Sequence, residues 1–217
     1  MAACGFDHLV VAADTLERGV AHVERCVGAA CRPGGRHPRM GTHNALLHLG
    51  PATYLEVIAI DPAAPPPEQP RWFGLDDPAV QAALAERPRL LTWVARSEDL
   101  DAAIAACVHD AGTPRAMTRG DLHWRIAFPD DGALVAGGLV PPLIEWGADT
   151  RHPASRLPDV GVRLEQLTGR HRAPGWVRER LAALGLADTL ALEIAQPGAG
   201  PRLAADLRTP RGTRRLE

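Results

Sequence analysis

The stretch Met40–Ala59, MGTHNALLHLGPATYLEVIA, decides the fold. It reads as two strands joined by Gly50-Pro51-Ala52, because apolar residues crowd both flanks of a Gly-Pro turn signal. In the second strand a carboxylate, Glu56, interrupts the run Tyr54-Leu55-Glu56-Val57-Ile58-Ala59. Side chains alternate along a strand, so Glu56 shares a face with Tyr54 and Ile58. Either that face is the solvent side of an edge strand, or it meets an interior where a carboxylate needs a partner or a metal.

Upstream, Phe6–Ala13 (FDHLVVAA) reads as a strand on which His8 shares a face with Phe6 and Val10. Asp14-Thr15 offers an N-cap to a helix over Leu16–Val27, closed by Gly28. Leu16, Val20, Val23 and Val27 form its apolar stripe. A loop or irregular strand containing Pro33, Gly34, Gly35 and Pro38 leads back to the opening pair. Residues 5–60 thus form a βαβββ unit.

Downstream, residues 61–88 are a connector, with five prolines in Asp61–Pro70, the aromatic cluster Arg71-Trp72-Phe73-Gly74 and a short helix from Pro78 to Glu86. The first pattern then returns over residues 89–149. A strand, Arg89–Arg96, precedes a helix, Leu100–His109, ended by Gly112. A loop with Pro114 and Gly120 leads to the strand Leu122–Phe128, and the loop Pro129–Pro142 to a last strand, Leu143–Trp146. Aligning the two helices places His8 on Thr92; with a shorter loop before the third strand and a longer one before the last, Gly41 matches Gly120 and Glu56 matches Glu145. Residues 158–217 read as βαββ: a strand at Val160–Leu167, a helix from Pro174 to Leu184, and a hairpin of Thr189–Ile194 with Arg202–Arg208. With no matching His or Glu pair, this third segment reads as a structural cap or an interface piece.

Composition narrows the function. A net charge of −2 gives no basis for binding nucleic acid or an anionic membrane. All 24 basic residues are arginine, which excludes Schiff-base lysine chemistry. Cys4, Cys26, Cys31 and Cys107 show no CxxC spacing, so a reduced, cytoplasmic protein with incidental thiols is expected. No apolar run is long enough to span a membrane, and no signal peptide is recognised at the start.

The stretches FDHLVVAA, GGRHPRMGTHNALLHLG, TYLEVIA, RWFGLD, LLTWVA, RGDLHWRIAFP and PLIEW together resemble the glyoxalase-like members of the vicinal oxygen chelate superfamily, over roughly residues 5–148. The resemblance implies an α+β fold in which two paired βαβββ modules form a curved, half-open barrel. It also implies a divalent metal (Mn, Fe, Ni or Zn) held by residues on the first and last strands of each module. Carried over, those positions are His8, Glu56, Thr92 and Glu145. Thr92 is a poor ligand, which leaves His8, Glu56 and Glu145.

The activity so implied is that of a lyase, isomerase or dioxygenase acting on a small oxygenated substrate, with Glu56 or Glu145 as general base. The alternatives are a binding protein of the bleomycin-resistance kind that has kept the cavity and lost the metal, and a module that forms a homodimer through the third segment. The expected cavity residues are His43, Asn44, His123, Trp93, Trp124 and Arg125. For each a plainer reading stands beside this one: His43 and His123 as hydrogen-bonded strand residues, Glu145 as the ion-pair partner of Arg125, the tryptophans as core. His48 reads as a surface residue at a strand end. Arg36, His37 and Arg39 form a basic loop that either holds an anionic substrate or is simply solvated.

Overall fold

A computed structural model describes residues 4–217. The first unit comprises β1 (Gly5–Ala12), α1 (Leu16–Val27), β2 (Arg32–His37), β3 (Thr42–Gly50) and β4 (Thr53–Ile60). The connector carries α2 (Pro78–Glu86). The second unit comprises β5 (Arg89–Arg96), α3 (Leu100–Ala106), β6 (Arg115–Arg119), β7 (Leu122–Ala127) and β8 (Leu143–Trp146). The last segment holds β9 (Arg163–His171), α4 (Pro174–Ala183), β10 (Ala191–Ile194), β11 (Arg202–Thr209) and β12 (Gly212–Leu216).

The fold is α+β. Eight strands form one curved sheet in the order β2-β3-β4-β1-β5-β8-β7-β6, and four form a second in the order β10-β9-β11-β12. In each unit the first strand runs parallel to the last, and β1 and β5 pair antiparallel to join the units. The large sheet nearly closes on itself. Arg39 on the β2 side reaches across the remaining gap and donates to the Ala116 carbonyl of β6 at 2.6 Å.

Alternation sorts the residues into two cores. The convex face buries Leu9, Val11, Val57, Trp93 and Ala95 against α1, α3 and the second sheet, whose Leu167, Leu203, Leu207 and Leu216 join the same cluster. The concave face buries Val10, Ile58, Val94, Trp124, Ile126 and Ile144 beneath Trp72, Phe73 and Leu75 of the connector. Burial on both faces explains why runs such as Leu9-Val10-Val11-Ala12 are continuously apolar. Thr15 caps α1 by accepting from the Arg18 amide, and Gly28 closes it in the left-handed conformation (φ 71°).

One open reading is resolved and three local expectations change. Of the loop or irregular strand around Pro33, the structure shows an irregular strand, Arg32–His37, at the sheet edge, where a proline is tolerated. The Pro114–Gly120 loop contains β6, paired with β7. Helix α3 stops at Ala106, where the chain turns so that Gly112 can pack against the Phe128 carbonyl; a Cβ there would lie 1.7 Å from that oxygen. The expected hairpin of β10 with β11 is absent among the described residues. Instead α4 carries the chain back so that β10 lies parallel to β9, and β11 pairs with β9 and β12.

Candidate functional site: a buried acid–base chain in the concave face

The site begins with an irregularity in β1. Opposite β5, Phe6 pairs with Ala95 and His8 with Val94, so Asp7 is an extra residue, a β-bulge. The bulge breaks the alternation that would have put Phe6 and His8 on one face. Phe6 packs with the convex core and stacks on Trp93 at 5.9 Å. His8 and Val10 face the concave side. Asp7, fully buried, folds back so that its Oδ1 lies 2.6 Å from His8 Nδ1. Its Oδ2 accepts from Trp146 Nε1 at 3.1 Å and lies 3.2 Å from His152 Nε2.

On the other side of His8, its Nε2 lies 3.6 Å from Glu56 Oε2, and the ring stacks on Tyr54 at 4.4 Å. Glu56 therefore faces the interior, with Tyr54 beside it. Asn44 holds the second carboxylate oxygen, donating to Glu56 Oε1 at 2.5 Å. The Asn44 oxygen in turn accepts from the Gly35 amide at 2.9 Å and from Arg119 at 3.0 Å. Arg119 also donates to His37 Nε2 at 2.9 Å, which makes His37 a neutral imidazole whose Nδ1–H points to Thr42 Oγ1 at 3.0 Å. The Gly34-Gly35 pair makes room for this network. A Cβ on Gly34 would fall 2.0 Å from Asn44 Oδ1, and one on Gly35 would fall 2.8 Å from the Arg119 side chain.

The charges follow from these contacts. Burial alone would drive the His8 pKa down, but hydrogen bonds and charge from Asp7 and Glu56 raise it to about 9. Burial would raise Glu56, yet the His8 hydrogen bond and charge, the His37 side and Asn44 lower it to about 2. Asp7 likewise resists burial and is held well below the usual carboxylate range by His152 and His8. His37 goes the other way, to about 4: burial outweighs the pull of Glu56, and Arg119 adds to the burial effect. At neutral pH the chain is therefore carboxylate, imidazolium, carboxylate. It borders a cavity of about 30 Å³, room for a small polar group and little more, walled by Trp72, Phe73, Trp124, Ile126, Ile144 and Trp146. Phe73 holds a left-handed backbone (φ 60°) rare for a bulky residue, in the turn that seats Trp72 over the cavity.

Of the residues expected here, His8, Glu56, Asn44 and Trp124 line this cavity. Glu145 does not. It lies on the convex face, accepts from the Leu100 amide at the start of α3 at 2.7 Å and pairs with Arg125 at 3.6 Å. Arg125 is also outside, bonded to Asp101 at 2.5 Å. Trp93 belongs to the convex core, its Nε1 donating to the Leu139 carbonyl. His123 is exposed on the convex side, and His43 alternates away from Asn44. Thr92 is sealed: its Oγ1 donates to Gly138 at 3.0 Å, and a Cβ on Gly138 would lie 2.0 Å from the Leu91 carbonyl. His48 is buried beside Asp159 rather than at the surface.

The metal set His8, Glu56 and Glu145 is accordingly not assembled. Only two of its donors meet, and among the described residues no group of three or more His, Cys, Asp or Glu side chains is placed to hold a metal. The site instead recruits Asp7, His37, Arg119, Trp146 and His152. Asp7 stood beside His8 in the sequence, and His37, read there as part of a basic loop, is instead buried in the site. Arg119 was signalled only indirectly, by Gly35, against which its side chain packs.

The chain is thus a curved barrel built from two βαβββ units, with a buried acid–base chain in its concavity. The glyoxalase-like domain family model matches residues 6–185, and the chain belongs to that family. Comparison with curated proteins finds no match. Among solved structures, a hypothetical protein from Staphylococcus aureus is similar over 99% of this chain and 85% of its own, at 13% identity and a TM-score of 0.55. Methylmalonyl-CoA epimerase from Mycobacterium tuberculosis covers 65% of this chain and 86% of its own, at 19% identity and a TM-score of 0.40. A variant of 4-hydroxymandelate synthase from Streptomyces coelicolor covers 100% of this chain and 63% of its own, at 13% identity and a TM-score of 0.47. Only the first of the three is close enough to speak to the fold.

Proposed function

We propose that this protein is an enzyme that moves a proton at a carbon next to a carbonyl of a small oxygenated substrate, a lyase- or isomerase-type reaction. The observation that carries the reading is the approach of His8 Nε2 to Glu56 Oε2, 3.6 Å apart at the edge of a small cavity, with both side chains more than nine-tenths buried. Asn44 fixes Glu56 Oε1, which leaves Oε2 as the proton acceptor. The C–H bond breaks, its proton passes to Glu56, and its electron pair moves onto the carbonyl oxygen. The His8 imidazolium, oriented by Asp7, donates to that oxygen as its charge grows. The two events reinforce each other. When His8 turns to the oxyanion its hold on Glu56 loosens, and burial then raises the basicity of the carboxylate. Reprotonation of the enolate completes an isomerisation, and departure of a β-substituent completes a lyase reaction.

The donor positions that the family resemblance implies for a metal do not converge, since Glu145 is held at the start of α3. The sealing of Thr92 and the outward turn of Glu145 support a second reading, a small-molecule binding protein that keeps the cavity without catalysis. Proton NMR in D2O with a panel of small 2-oxo, 2-hydroxycarbonyl and α-branched acids separates the two. Enzyme-dependent loss of an α-proton signal, slowed roughly 10²–10⁴-fold in Glu56→Gln, supports catalysis. Saturable binding with no exchange by the wild type supports the binding protein.

A further inference from the structure

The cavity wall contains donors that the protein does not use. Trp72 is 3% exposed, its ring lines the cavity, and its Nε1–H has no acceptor among the described residues. A buried N–H left without a partner costs about 1–3 kcal/mol, so such a group calls for an explanation. Arg119 is the second. One of its amino groups serves Asn44 and His37, while no carboxylate lies within ion-pair distance of the guanidinium among the described residues. The two are neighbours through His37, whose ring sits 5.1 Å from that of Trp72 and 2.9 Å from the Arg119 nitrogen.

Arg119 also borders a larger cleft, about 610 Å³, at the gap between β2 and β6. Arg32, the Gly34-Gly35 backbone and Leu157 line that cleft, as does Arg156, which is already paired with Asp121. The inner cavity is too small for a whole metabolite, and the cleft is large enough for the rest of one. Arg119 stands at the junction.

Resting on the proton-transfer reading and sharpening its substrate class, we infer that the substrate is a carboxylic acid whose carboxylate is held by Arg119 and the Trp72 indole N–H, with its remainder in the β2–β6 cleft. A planar carboxylate offers two acceptors, one for the guanidinium fork and one for the indole. Anchored there, it brings its α-carbon toward Glu56 and His8. It also supplies the charge that Arg119 lacks and the acceptor that Trp72 lacks.

The test uses malonate as a probe carboxylate, malonamide as its neutral counterpart and inorganic phosphate as a different anion. Binding is followed by calorimetry and by tryptophan fluorescence, since Trp72, Trp124 and Trp146 wall the cavity. Malonate is expected to bind saturably, and malonamide and phosphate at least about tenfold more weakly. Arg119→Gln should weaken malonate about tenfold or more, and Trp72→Phe, which keeps an aromatic side chain and deletes the N–H, roughly threefold or more. Arg170→Gln, on the second sheet and away from both pockets, should leave binding unchanged. The inference is overturned if malonate fails to saturate by roughly 50 mM, if malonamide or phosphate binds as well, or if Trp72→Phe and a folded Arg119→Gln both bind like the wild type. Binding needs no proton transfer, so malonate should also bind Glu56→Gln. Binding without exchange would refute the catalytic reading alone, and exchange confined to neutral carbonyl compounds would refute the acid alone.

Discussion

His8 Nε2 stands 3.6 Å from Glu56 Oε2, while His8 Nδ1 stands 2.6 Å from Asp7 Oδ1. One imidazole thus sits between two carboxylates inside the protein, and each partner shifts the others. A buried histidine next to one carboxylate would be unremarkable. Two carboxylates make the cation the favoured form, and the cavity beside it gives that cation something to act on.

This arrangement sets the pH dependence of stability. His8 is raised from 6.5 to about 9, so its contribution is complete below about 6.5 and is lost as pH rises towards 9. Glu56, lowered from 4.5 to about 2, contributes fully above about 4.5 and loses that contribution as pH falls towards 2. His37, lowered to about 4, favours the folded state fully above about 6.5 and less as pH falls towards 4. Urea midpoints measured across pH should therefore fall on both sides of about 6.5. In His8→Gln the alkaline decline should flatten, and in His37→Asn part of the acid decline should disappear.

Glu56 and Glu145 should separate cleanly. Glu56→Gln should abolish most α-proton exchange, about 10²–10⁴-fold, because it removes the proton acceptor. Glu145→Gln should leave exchange nearly unchanged and cost about 1 kcal/mol in denaturation, by weakening the charged contact at the α3 N-terminus. Equal losses of exchange in the two variants would restore the paired-carboxylate site.

That contrast also marks how much of the site was legible in the sequence. The two units were readable because helix and strand periods, Gly28 and the turn at Gly50 all agree on where elements begin and end. Glu56 was readable because a lone charge in an apolar strand needs a partner. Its match to Glu145 failed on register. Val57 pairs with Val11 and Leu143 with Ala95, so the position corresponding to Glu56 falls on Pro142, and Glu145 is turned to the other face. Loop lengths hide a shift of this kind, and an odd shift exchanges the faces. The bulge at Asp7 was hidden for a related reason: an extra residue shifts the alternation, and nothing in Phe6-Asp7-His8 marks where the shift falls.

Gly34→Ala should disturb the site from a strand that carries no charge into it. Its new Cβ would lie 2.0 Å from Asn44 Oδ1, so the amide must move and release Glu56 Oε1. A loss of about 1–3 kcal/mol in stability is expected, together with reduced exchange. Thermal denaturation and the exchange assay measure both.

Thr92→Val tests the sealed position. It deletes the hydrogen bond to Gly138 and should cost about 1 kcal/mol in chemical denaturation. Exchange and malonate binding should stay at wild-type values, since Thr92 does not border the cavity lined by His8 and Glu56.

The most direct test of the account is the protonation of His8 itself. In protein labelled with ¹⁵N-histidine and assigned through His8→Gln, both His8 ring nitrogens should carry protons at neutral pH, and the ring should lose one only near pH 9. A neutral His8 ring at pH 7, titrating near 6.5, would contradict an imidazolium held between Asp7 and Glu56.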